Sequence, residues 1–376
     1  MQKNIYYWSP FLTNIATAKA VINSAIGLKK YSKEYNCTII NSIGEFNSYK
    51  NEIINNNINL NNFFSIDFKK YLPKYGFLSS RLSYIFIFLI SVLPLLNIIK
   101  KKKPDFLIIH LLTSLPLMLL IFGRYETKFI LRISGYPKIN FIRYLFWKTV
   151  SKKIYRITCP TKETYNLILK KNIIDKKKLF ILRDPIINIA DISKKKKERI
   201  KFKNFIFSAG RLTNQKNFDF LINCFNKINN NTNLKLLIAG DGEKRNELLK
   251  LINKLNLQNK VFLIGHTKNI FKYMSKCNCF ILTSLWEDPG FVLLEAAACR
   301  ALVISSNCKS GPIEIIKNKT TGFSFRSNDS NDFINKYNNY SNEDNKNLEK
   351  IKLNNLKQSN LYSTFKHSKE LMKIIN

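Results

Sequence analysis

Two glutamates and a glycine turn mark the segment of the sequence best suited to chemistry. Glu287 and Glu295 are separated by seven residues, with Gly290 and Phe291 between them. The carboxylates can accept hydrogen bonds from vicinal hydroxyls, and the backbone N–H groups of residues 290–292 can bind an anion. A ligand that joins a sugar to a phosphate is the simplest one that answers both. The alternative is structural: Glu287 would be a solvated turn residue, and Glu295 an acid that the helix dipole favours.

A basic loop further upstream adds the charges that such a ligand needs. Gly210, Arg211 and Lys216 follow a short apolar run. Arg offers a rigid fork to phosphate oxygens and Lys a compact charge, so the two can hold a diphosphate and stabilise it as a leaving group. The sequence contains no Asp-x-Asp pair to hold a divalent metal. We therefore expect neither a metal nor another cofactor, with the two cations in the place of Mg²⁺.

The elements around these residues predict an α/β fold. The apolar runs 205–209 and 277–283 predict buried strands, and residues 218–228 and 292–298 predict the helices that follow the two loops. The N-terminal half has an apolar strand at 5–8, a helix at 16–29, and further strands that end at Ile40, His110, Ile133, Cys159 and Leu182. This alternation predicts doubly wound parallel sheets, which bind ligands beyond the carboxyl ends of their strands.

Five motifs in one order resemble a known family. They are Gly-Arg-Leu at 210–212 with Lys216 behind it, Ile-Ala-Gly-Asp-Gly at 238–242, Phe-Leu-Ile-Gly at 262–265, the segment from Glu287 to Glu295, and Ser-Gly-Pro-Ile-Glu at 310–314. The series covers roughly residues 203–325 and resembles the C-terminal half of the family 4 retaining glycosyltransferases. The resemblance implies a GT-B fold, in which two Rossmann-like doubly wound domains face a central cleft.

The resemblance also implies roles for single positions. Arg211 and Lys216 fall where the family binds the donor diphosphate, Glu295 where it binds the nucleotide ribose, and Glu287 where it touches the hydroxyls of the transferred sugar. Further donor-binding positions are Gly210, Gly265, His266, Gly290, Phe291 and Val292. One departure is visible at Asp288 and Pro289, where many members carry a small residue and an aromatic one, so the sugar pocket departs from the family's pattern.

His110 is the catalytic candidate in the N-terminal half. It closes a predicted strand, and family members often keep a histidine near the reacting sugar. The alternative is a hydrogen-bonded residue at a strand end. No paired carboxylate offers a general base in this half, and the resemblance implies that none is needed, because the acceptor attacks from the face that the diphosphate leaves and the diphosphate helps to deprotonate it.

The length suits two domains, because 376 residues exceed a comfortable single core. We expect an N-terminal, acceptor-binding Rossmann-like domain at 1–187, a linker at 188–203 and a donor-binding Rossmann-like domain at 204–355. The stretch 327–360 is polar, and residues 361–375 show helical spacing of apolar residues. From the resemblance, the segment 356–376 is expected to pack back toward the N-terminal domain.

Charge and hydropathy point to a membrane surface. The formal net charge is +37, with lysine runs at 100–103, 176–178 and 194–197, which suits anionic lipid. Part of this charge can also be compositional drift, since the chain is rich in Asn, Lys and Ile. Residues 82–99 carry no charge but contain Pro94, and we interpret them as a buried or interfacial helix and loop rather than a span. We see no signal peptide and expect a cytoplasmic protein, peripheral on the inner face of the plasma membrane.

These observations combine into one hypothesis and two alternatives. We expect a retaining hexosyltransferase that moves a sugar from a nucleotide-diphosphate donor, a UDP-sugar in the first instance, to a membrane-associated acceptor in lipopolysaccharide, capsule or lipid-linked oligosaccharide synthesis. The enzyme alternative is a soluble sugar-phosphate or disaccharide synthase of the same fold. A basic nucleic-acid-binding protein is a remote alternative, because it leaves Glu287 and Glu295 unexplained and requires exposed aromatics among the cations.

Overall fold

The computed structural model describes residues 2–13, 16–73, 77–133, 137, 139–229, 233–287, 289–309 and 311–376. Asp288 and Ser310, which belong to the sequence motifs, lie outside these described residues. The chain divides into two compact units. Unit 1 comprises Met1–Pro185 with Thr364–Asn376, and unit 2 comprises Ile186–Ser363.

Unit 1 is a seven-stranded parallel sheet flanked by helices. Its strands are β1 Lys3–Trp8, β2 Tyr35–Asn41, β3 Asn59–Asn62, β4 Phe106–Ile109, β5 Lys128–Arg132, β6 Arg156–Cys159 and β7 Leu179–Ile181. Its helices are α1 Ala16–Tyr31, α2 Lys50–Asn55, α3 Phe77–Asn97, α4 Ser114–Phe122, α5 Phe141–Lys153, α6 Lys162–Lys170 and, at the end of the chain, α15 Thr364–Ile375. The strand order is β3-β2-β1-β4-β5-β6-β7, so the winding direction reverses between β1 and β4.

Unit 2 repeats this architecture with six parallel strands. The strands are β8 Phe205–Ala209, β9 Lys235–Ala239, β10 Val261–Gly265, β11 Cys279–Leu282, β12 Val303–Ser306 and β13 Phe323–Phe325. The helices are α7 Ile189–Lys195, α8 Phe218–Ile228, α9 Arg245–Lys254, α10 Phe271–Met274, α11 Phe291–Ala298, α12 Gly311–Ile315, α13 Ser330–Ser341 and α14 Asn345–Ser359. The order β10-β9-β8-β11-β12-β13 reverses between β8 and β11.

Both sheets are covered on both faces. Successive strand residues point to opposite faces, so neighbouring residues of one strand pack into different apolar clusters. In β4 of unit 1, Leu107 and Ile109 pack under α3, α4 and α5, whereas Phe106 and Ile108 pack with α1 and α15. The sequence of β4 is therefore a continuous apolar run. The predicted fold class, α/β with two doubly wound parallel sheets, is confirmed.

The region expected to be a linker contains regular structure. Residues 188–203 include α7, which belongs to unit 2. The side chain of Asn188 caps this helix by accepting a hydrogen bond from the backbone N–H of Asp191. The unit boundary lies between Pro185 and Ile186, ahead of that cap.

Two helices form in a stretch that the sequence interpretation described only as polar, and one strand forms without an apolar pattern. The polar stretch 327–360 contains α13 and α14, which begin at aspartate caps: Asp329 accepts from the N–H of Asp332, and Asp344 from that of Asn347. The edge strand β3 has the sequence Asn-Leu-Asn-Asn, without the apolar alternation that marks a strand. Its backbone pairs with β2, and Asn41 Nδ2 donates to Asn62 Oδ1 at 2.7 Å.

Candidate functional site

The predicted donor residues lie at the point where the strand order of unit 2 reverses. Gly210 and Arg211 follow β8, and Glu287 follows β11, which is hydrogen-bonded to β8. In a doubly wound sheet this is the edge at which ligands bind, because the helices on either side of the reversal diverge there. The two loops that the sequence singled out are therefore neighbours in space.

Lys216 and Glu287 form an ion pair in this site. The Lys216 ammonium contacts Glu287 Oε1, and only 14% and 8% of the two side chains are exposed. The hydroxyl of Ser284 donates to the same carboxylate oxygen at 2.6 Å. The pair thus fixes the Lys216 ammonium at the edge of the sheet. An ammonium has three N–H donors, and the contact with Glu287 Oε1 uses one of them.

Backbone contacts tie the two loops together around this pair. The Thr283 hydroxyl donates to the carbonyl of Lys216 at 2.9 Å, and the N–H of Leu285 donates to the carbonyl of Gln215 at 2.9 Å. On the other side, the N–H of Glu287 donates to the carbonyl of Lys309 at 2.9 Å. The ion pair is therefore positioned by main chain from three segments, which limits the freedom of both side chains.

Glycines allow the loops after β8, β9 and β11 to approach one another. The side-chain carbons of Lys216 lie over Gly210, where a Cβ would stand 3.1 Å from them. Gly240 has φ +136°, and a Cβ there would overlap the carbonyl oxygen of Gly210. A Cβ on Gly311 would overlap the carbonyl oxygen of Pro289 in the same way. Gly290 has φ +85° and leads directly into α11.

The remaining predicted donor residues are spread along this edge. Arg211 and His266 are exposed, while Phe291, Val292 and Glu295 are half-buried in α11. Gly265 ends β10 with φ +71°, and a Cβ there would meet open space. The direct side-chain contact between Lys216 and Glu287 was not part of the sequence prediction, which gave the two residues separate ligand groups.

His110 lies in unit 1, directly after β4. Only 4% of it is exposed, and its backbone N–H donates to the carbonyl of Trp8 at 2.9 Å. Burial first, then the Arg132 guanidinium, and last an electrostatic effect of His367 hold the pKa of His110 well below its usual value. At neutral pH the imidazole is therefore uncharged, so a role as a proton acceptor or as a neutral hydrogen-bonding group is chemically open to it.

A small cavity beside His110 is lined by charged residues that sequence reasoning missed. Arg132 at the end of β5 forms a buried ion pair with Asp184, and both line this cavity together with Thr158 and His367. The sequence did contain a signal, since Arg132 is a charge inside the apolar run Phe-Ile-Leu-Arg-Ile. Its partner, Asp184, is 52 positions away in the sequence, so a local sequence pattern does not indicate the pairing.

His367 joins α15 to the rest of unit 1 through a chain of hydrogen bonds. Its Nδ1 lies 2.7 Å from the carbonyl oxygen of Arg183, which can only accept, so Nδ1 donates. In the neutral ring Nε2 then accepts from the Ser24 hydroxyl at 2.8 Å, and Ser24 in turn accepts from the Tyr7 hydroxyl at 3.0 Å. Burial lowers the pKa of His367 to about 4, despite the opposing effect of the Arg183 carbonyl and of Asp184.

Comparison with known proteins identifies a matching family and several relatives of this chain. The model of the family Glycosyl transferases group 1 matches residues 190–358, which include every predicted donor residue. An uncharacterised glycosyltransferase of Methanocaldococcus jannaschii is 37% identical over 250 residues, covering 59% of this chain and 60% of the relative. The matched part of the chain thus spans less than two thirds of that relative's length.

Two further relatives carry functional names. The N-acetylgalactosamine-N,N'-diacetylbacillosaminyl-diphospho-undecaprenol 4-alpha-N-acetylgalactosaminyltransferase of Campylobacter jejuni is 31% identical over 236 residues, covering 60% of this chain and 64% of the relative. The UDP-Gal:alpha-D-GlcNAc-diphosphoundecaprenol alpha-1,3-galactosyltransferase of Escherichia coli is 27% identical over 275 residues, covering 65% and 68%. Both names describe transfer to a sugar on diphospho-undecaprenol.

A solved structure matches the full length. A glycosyltransferase from Rickettsia africae superposes with a TM-score of 0.80 at 18% identity, covering 100% of this chain and 98% of that chain. At this identity the match establishes the fold alone. That fold is GT-B, as the sequence motifs implied.

Proposed function

Residues 190–358 belong to the family Glycosyl transferases group 1, and from that premise we propose that the chain is a retaining, metal-independent hexosyltransferase that uses a UDP-sugar. The observation that carries the proposal is the Lys216–Glu287 pair at the reversal point of the unit 2 sheet. It places a cation and a carboxylate side by side, as a ligand with a diphosphate next to a hydroxylated sugar requires. The UDP-Gal donor in the name of the E. coli relative supports the choice of uridine.

Each donor residue has a proposed task. Arg211 is exposed and can turn its guanidinium fork to the diphosphate, while the ammonium of Lys216 has donors left for it. The Glu287 carboxylate, which accepts from Lys216 and Ser284, is proposed to accept from the sugar hydroxyls as well. Glu295 would take the ribose hydroxyls. His110, in unit 1, is proposed to act near the transferred sugar.

The proposed reaction needs no covalent enzyme intermediate. The acceptor hydroxyl attacks the anomeric carbon from the face that the diphosphate leaves, so the new carbon–oxygen bond forms as the old one breaks. The proton of the acceptor passes to an oxygen of the departing diphosphate. Arg211 and Lys216 would then stabilise the negative charge that develops on this leaving group, in the place of a metal ion.

The proposed acceptor is a glycan on a lipid carrier at the cytoplasmic face of the plasma membrane, in the synthesis of lipopolysaccharide, capsule or a lipid-linked oligosaccharide. The names of the Campylobacter and E. coli relatives support this class, since both include diphospho-undecaprenol. The enzyme would be peripheral on that membrane. Helix α3, which exposes a row of apolar side chains, favours this over the soluble synthase of the same fold.

A transfer assay tests the proposal. The purified chain is incubated with labelled UDP-sugars and a lipid-linked acceptor fraction in the presence of EDTA, and label in the lipid phase is counted. We expect transfer by the wild type, and a loss of at least about a hundredfold for Arg211→Ala and for Lys216→Ala, as for other donors aimed at a leaving charge. Lys254→Ala, an exposed lysine of α9, is the control. Wild-type rates in the two site variants would refute the assignment.

A further inference from the structure

Helix α3 has an apolar face turned away from the protein. Its exposed large side chains are Leu78, Leu82, Ile85, Phe86, Leu89 and Leu93, which recur at helical spacing and form one stripe. Leu82 and Leu89 are 66% and 64% exposed. A helix of a water-exposed surface normally shows the opposite arrangement, with polar residues outside.

The other face of α3 fixes the helix to unit 1. Ile87 and Leu95 are buried in apolar clusters, and the buried face also contains Ser83 and Ser91. By length and composition the segment from Leu78 to Lys102 could cross a membrane. Because one side of the helix is packed on the domain and the other side is apolar and open, the geometry suits a helix lying in the membrane interface.

Two neighbouring helices extend the apolar surface. Helix α4 packs beside α3, and α5 packs beside α4, over the same face of the sheet. Their exposed large side chains are Met118, Phe122, Phe141, Ile142 and Leu145. With the stripe on α3, these make eleven of the twenty-two exposed large apolar side chains that the structure describes. So large an exposed apolar area on a soluble protein marks an interaction site.

The charge around this surface is almost all positive. Between residues 78 and 153 the sequence has thirteen Lys and Arg but only two acidic residues, Asp105 and Glu126. Lys100, Lys101 and Lys102 form an exposed cationic turn directly after α3, and Lys148 and Lys152 are exposed on α5. Long lysine side chains can keep their charge at the headgroups while the apolar face enters the acyl region.

We propose that the exposed faces of α3, α4 and α5 form a docking surface for an anionic lipid bilayer, into which the α3 stripe inserts parallel to the membrane plane. The inference deepens the proposed membrane location and rests on it for its biological purpose. The lipid source is the bilayer itself, since the apolar stripe needs acyl chains and the lysines need anionic headgroups.

A second copy of the chain is the competing occupant. An isologous dimer through this surface would bring the same lysines from both copies together with too few acidic residues to balance them. A bilayer with anionic headgroups supplies both the apolar phase and the opposite charge. Charge complementarity therefore favours lipid.

Flotation with preformed vesicles tests the docking surface. The full chain is mixed with vesicles of phosphatidylcholine and phosphatidylglycerol, without sugar substrates. We expect the wild type to float with these vesicles, the double variant Leu82→Asp/Leu89→Asp to bind at least about tenfold more weakly, and Lys100→Gln/Lys101→Gln/Lys102→Gln roughly a hundredfold more weakly. The substituted side chains are exposed, so the folded core is left intact.

Matched variants in unit 2 control for hydrophobicity and net charge. Leu249→Asp/Leu353→Asp changes two exposed leucines, and Lys346→Gln/Lys350→Gln/Lys357→Gln removes three exposed lysines of α14. Both should bind vesicles like the wild type. An equal loss of vesicle binding in control and test variants would overturn the proposal. So would a wild-type protein that stays bound through an alkaline carbonate wash, which indicates a membrane span. A wild type that stays in solution as a dimer would overturn it as well.

UDP binding separates this inference from the proposed function. Both α3 variants should bind UDP like the wild type, because the donor residues lie in unit 2. A wild-type chain that binds UDP but not vesicles would refute the docking surface alone. A chain that binds vesicles but no nucleotide would leave the docking surface standing and refute the donor assignment.

Discussion

Lys216 and Glu287 have a structural task as well as a proposed chemical one. The pair is largely shielded from water, and Ser284 and backbone from three segments hold it in place. A shielded charge that loses its partner costs more than the pair itself contributes, because the remaining charge stays desolvated. Substitution at either position therefore affects both stability and transfer, and the two effects must be separated.

A double variant makes that separation. We expect Lys216→Met to lower the free energy of unfolding by about 2 kcal/mol, because the Glu287 carboxylate stays in its shielded site without the ammonium. Lys216→Met/Glu287→Gln should recover most of this stability but none of the transfer activity. Denaturant unfolding and the transfer assay measure the two. A double variant no more stable than Lys216→Met would show that the loss in Lys216→Met does not come from an unpaired Glu287 carboxylate.

His367 predicts how stability depends on pH. Its folded pKa is about 4, below the value of about 6.5 in an unfolded chain, so the unfolded state binds the proton more readily. The free energy of unfolding therefore contains the full contribution of the neutral His367 above pH 6.5 and loses it as pH falls toward 4. Between pH 6.5 and 5, His367 should account for a loss of about 2 kcal/mol in unfolding free energy.

The comparison of variants isolates this histidine from other titrating groups. Unfolding free energies of the wild type and of His367→Gln are measured from pH 7.5 to 5, and the difference between them should narrow as pH falls. The exposed His266, changed to Gln, is the control and should follow the wild type. A constant difference between wild type and His367→Gln would contradict a neutral, buried imidazole.

At the scale of elements, the loops of the candidate site depend on glycine. Gly240 has both a positive φ and the Gly210 carbonyl in the space of a side chain, whereas Gly265 has a positive φ but open space. We expect Gly240→Ala to cost at least about 3 kcal/mol and to abolish UDP binding, since the loop after β8 must move. Gly265→Ala should cost only about 1 kcal/mol, the strain of a left-handed residue. Equal costs in denaturant unfolding would contradict this packing.

Strands and loops with local signals were predictable from the sequence, and pairings between distant residues were not. The runs at 205–209 and 218–228 match β8 and α8 because apolar periodicity is a local property. The strand β3 was missed because it is a polar edge strand, stabilised by its pairing with β2. The Arg132–Asp184 pair depends on the register of separate strands, and the contact of Lys216 with Glu287 depends on β8 and β11 being neighbours.

The sequence also did not indicate which side of the apolar segment 82–99 is exposed. Residues 82–99 were interpreted as a buried or interfacial helix and loop. The structure shows one continuous helix, α3, with a π-helical turn at Ile98–Lys102. Which side of it is open depends on the packing of Ile87 and Leu95 in unit 1. Large apolar residues lie on both sides of the helix, so the sequence pattern alone does not show which side is open.

In the whole molecule, the last helix of unit 1 comes after unit 2 in the sequence. Helix α15 follows unit 2 in sequence but packs on α1, with Leu371 in the core of unit 1. Leu371→Ala should therefore destabilise unit 1 by about 2–4 kcal/mol, as expected for a buried leucine. Leu353→Ala, an exposed leucine of α14, is the matched control and should change stability by less than about 0.5 kcal/mol.

Intrinsic tryptophans can report this result by unit. Trp8 and Trp147 lie in unit 1 and Trp286 in unit 2, so a Trp286→Phe background makes fluorescence specific to unit 1. In that background Leu371→Ala should shift the denaturant midpoint to lower concentration. An unchanged midpoint would contradict the assignment of α15 to the core of unit 1.

The proposed donor site requires unit 2 to bind a nucleotide-diphosphate sugar without a metal. Calorimetric titration of the purified chain with UDP, GDP, ADP and their common sugar conjugates, with EDTA present, measures this binding. We expect a selective response to the uridine nucleotides that Glu295→Ala largely removes. No response to any nucleotide, or a response that appears only when EDTA is replaced by a divalent metal, would contradict it.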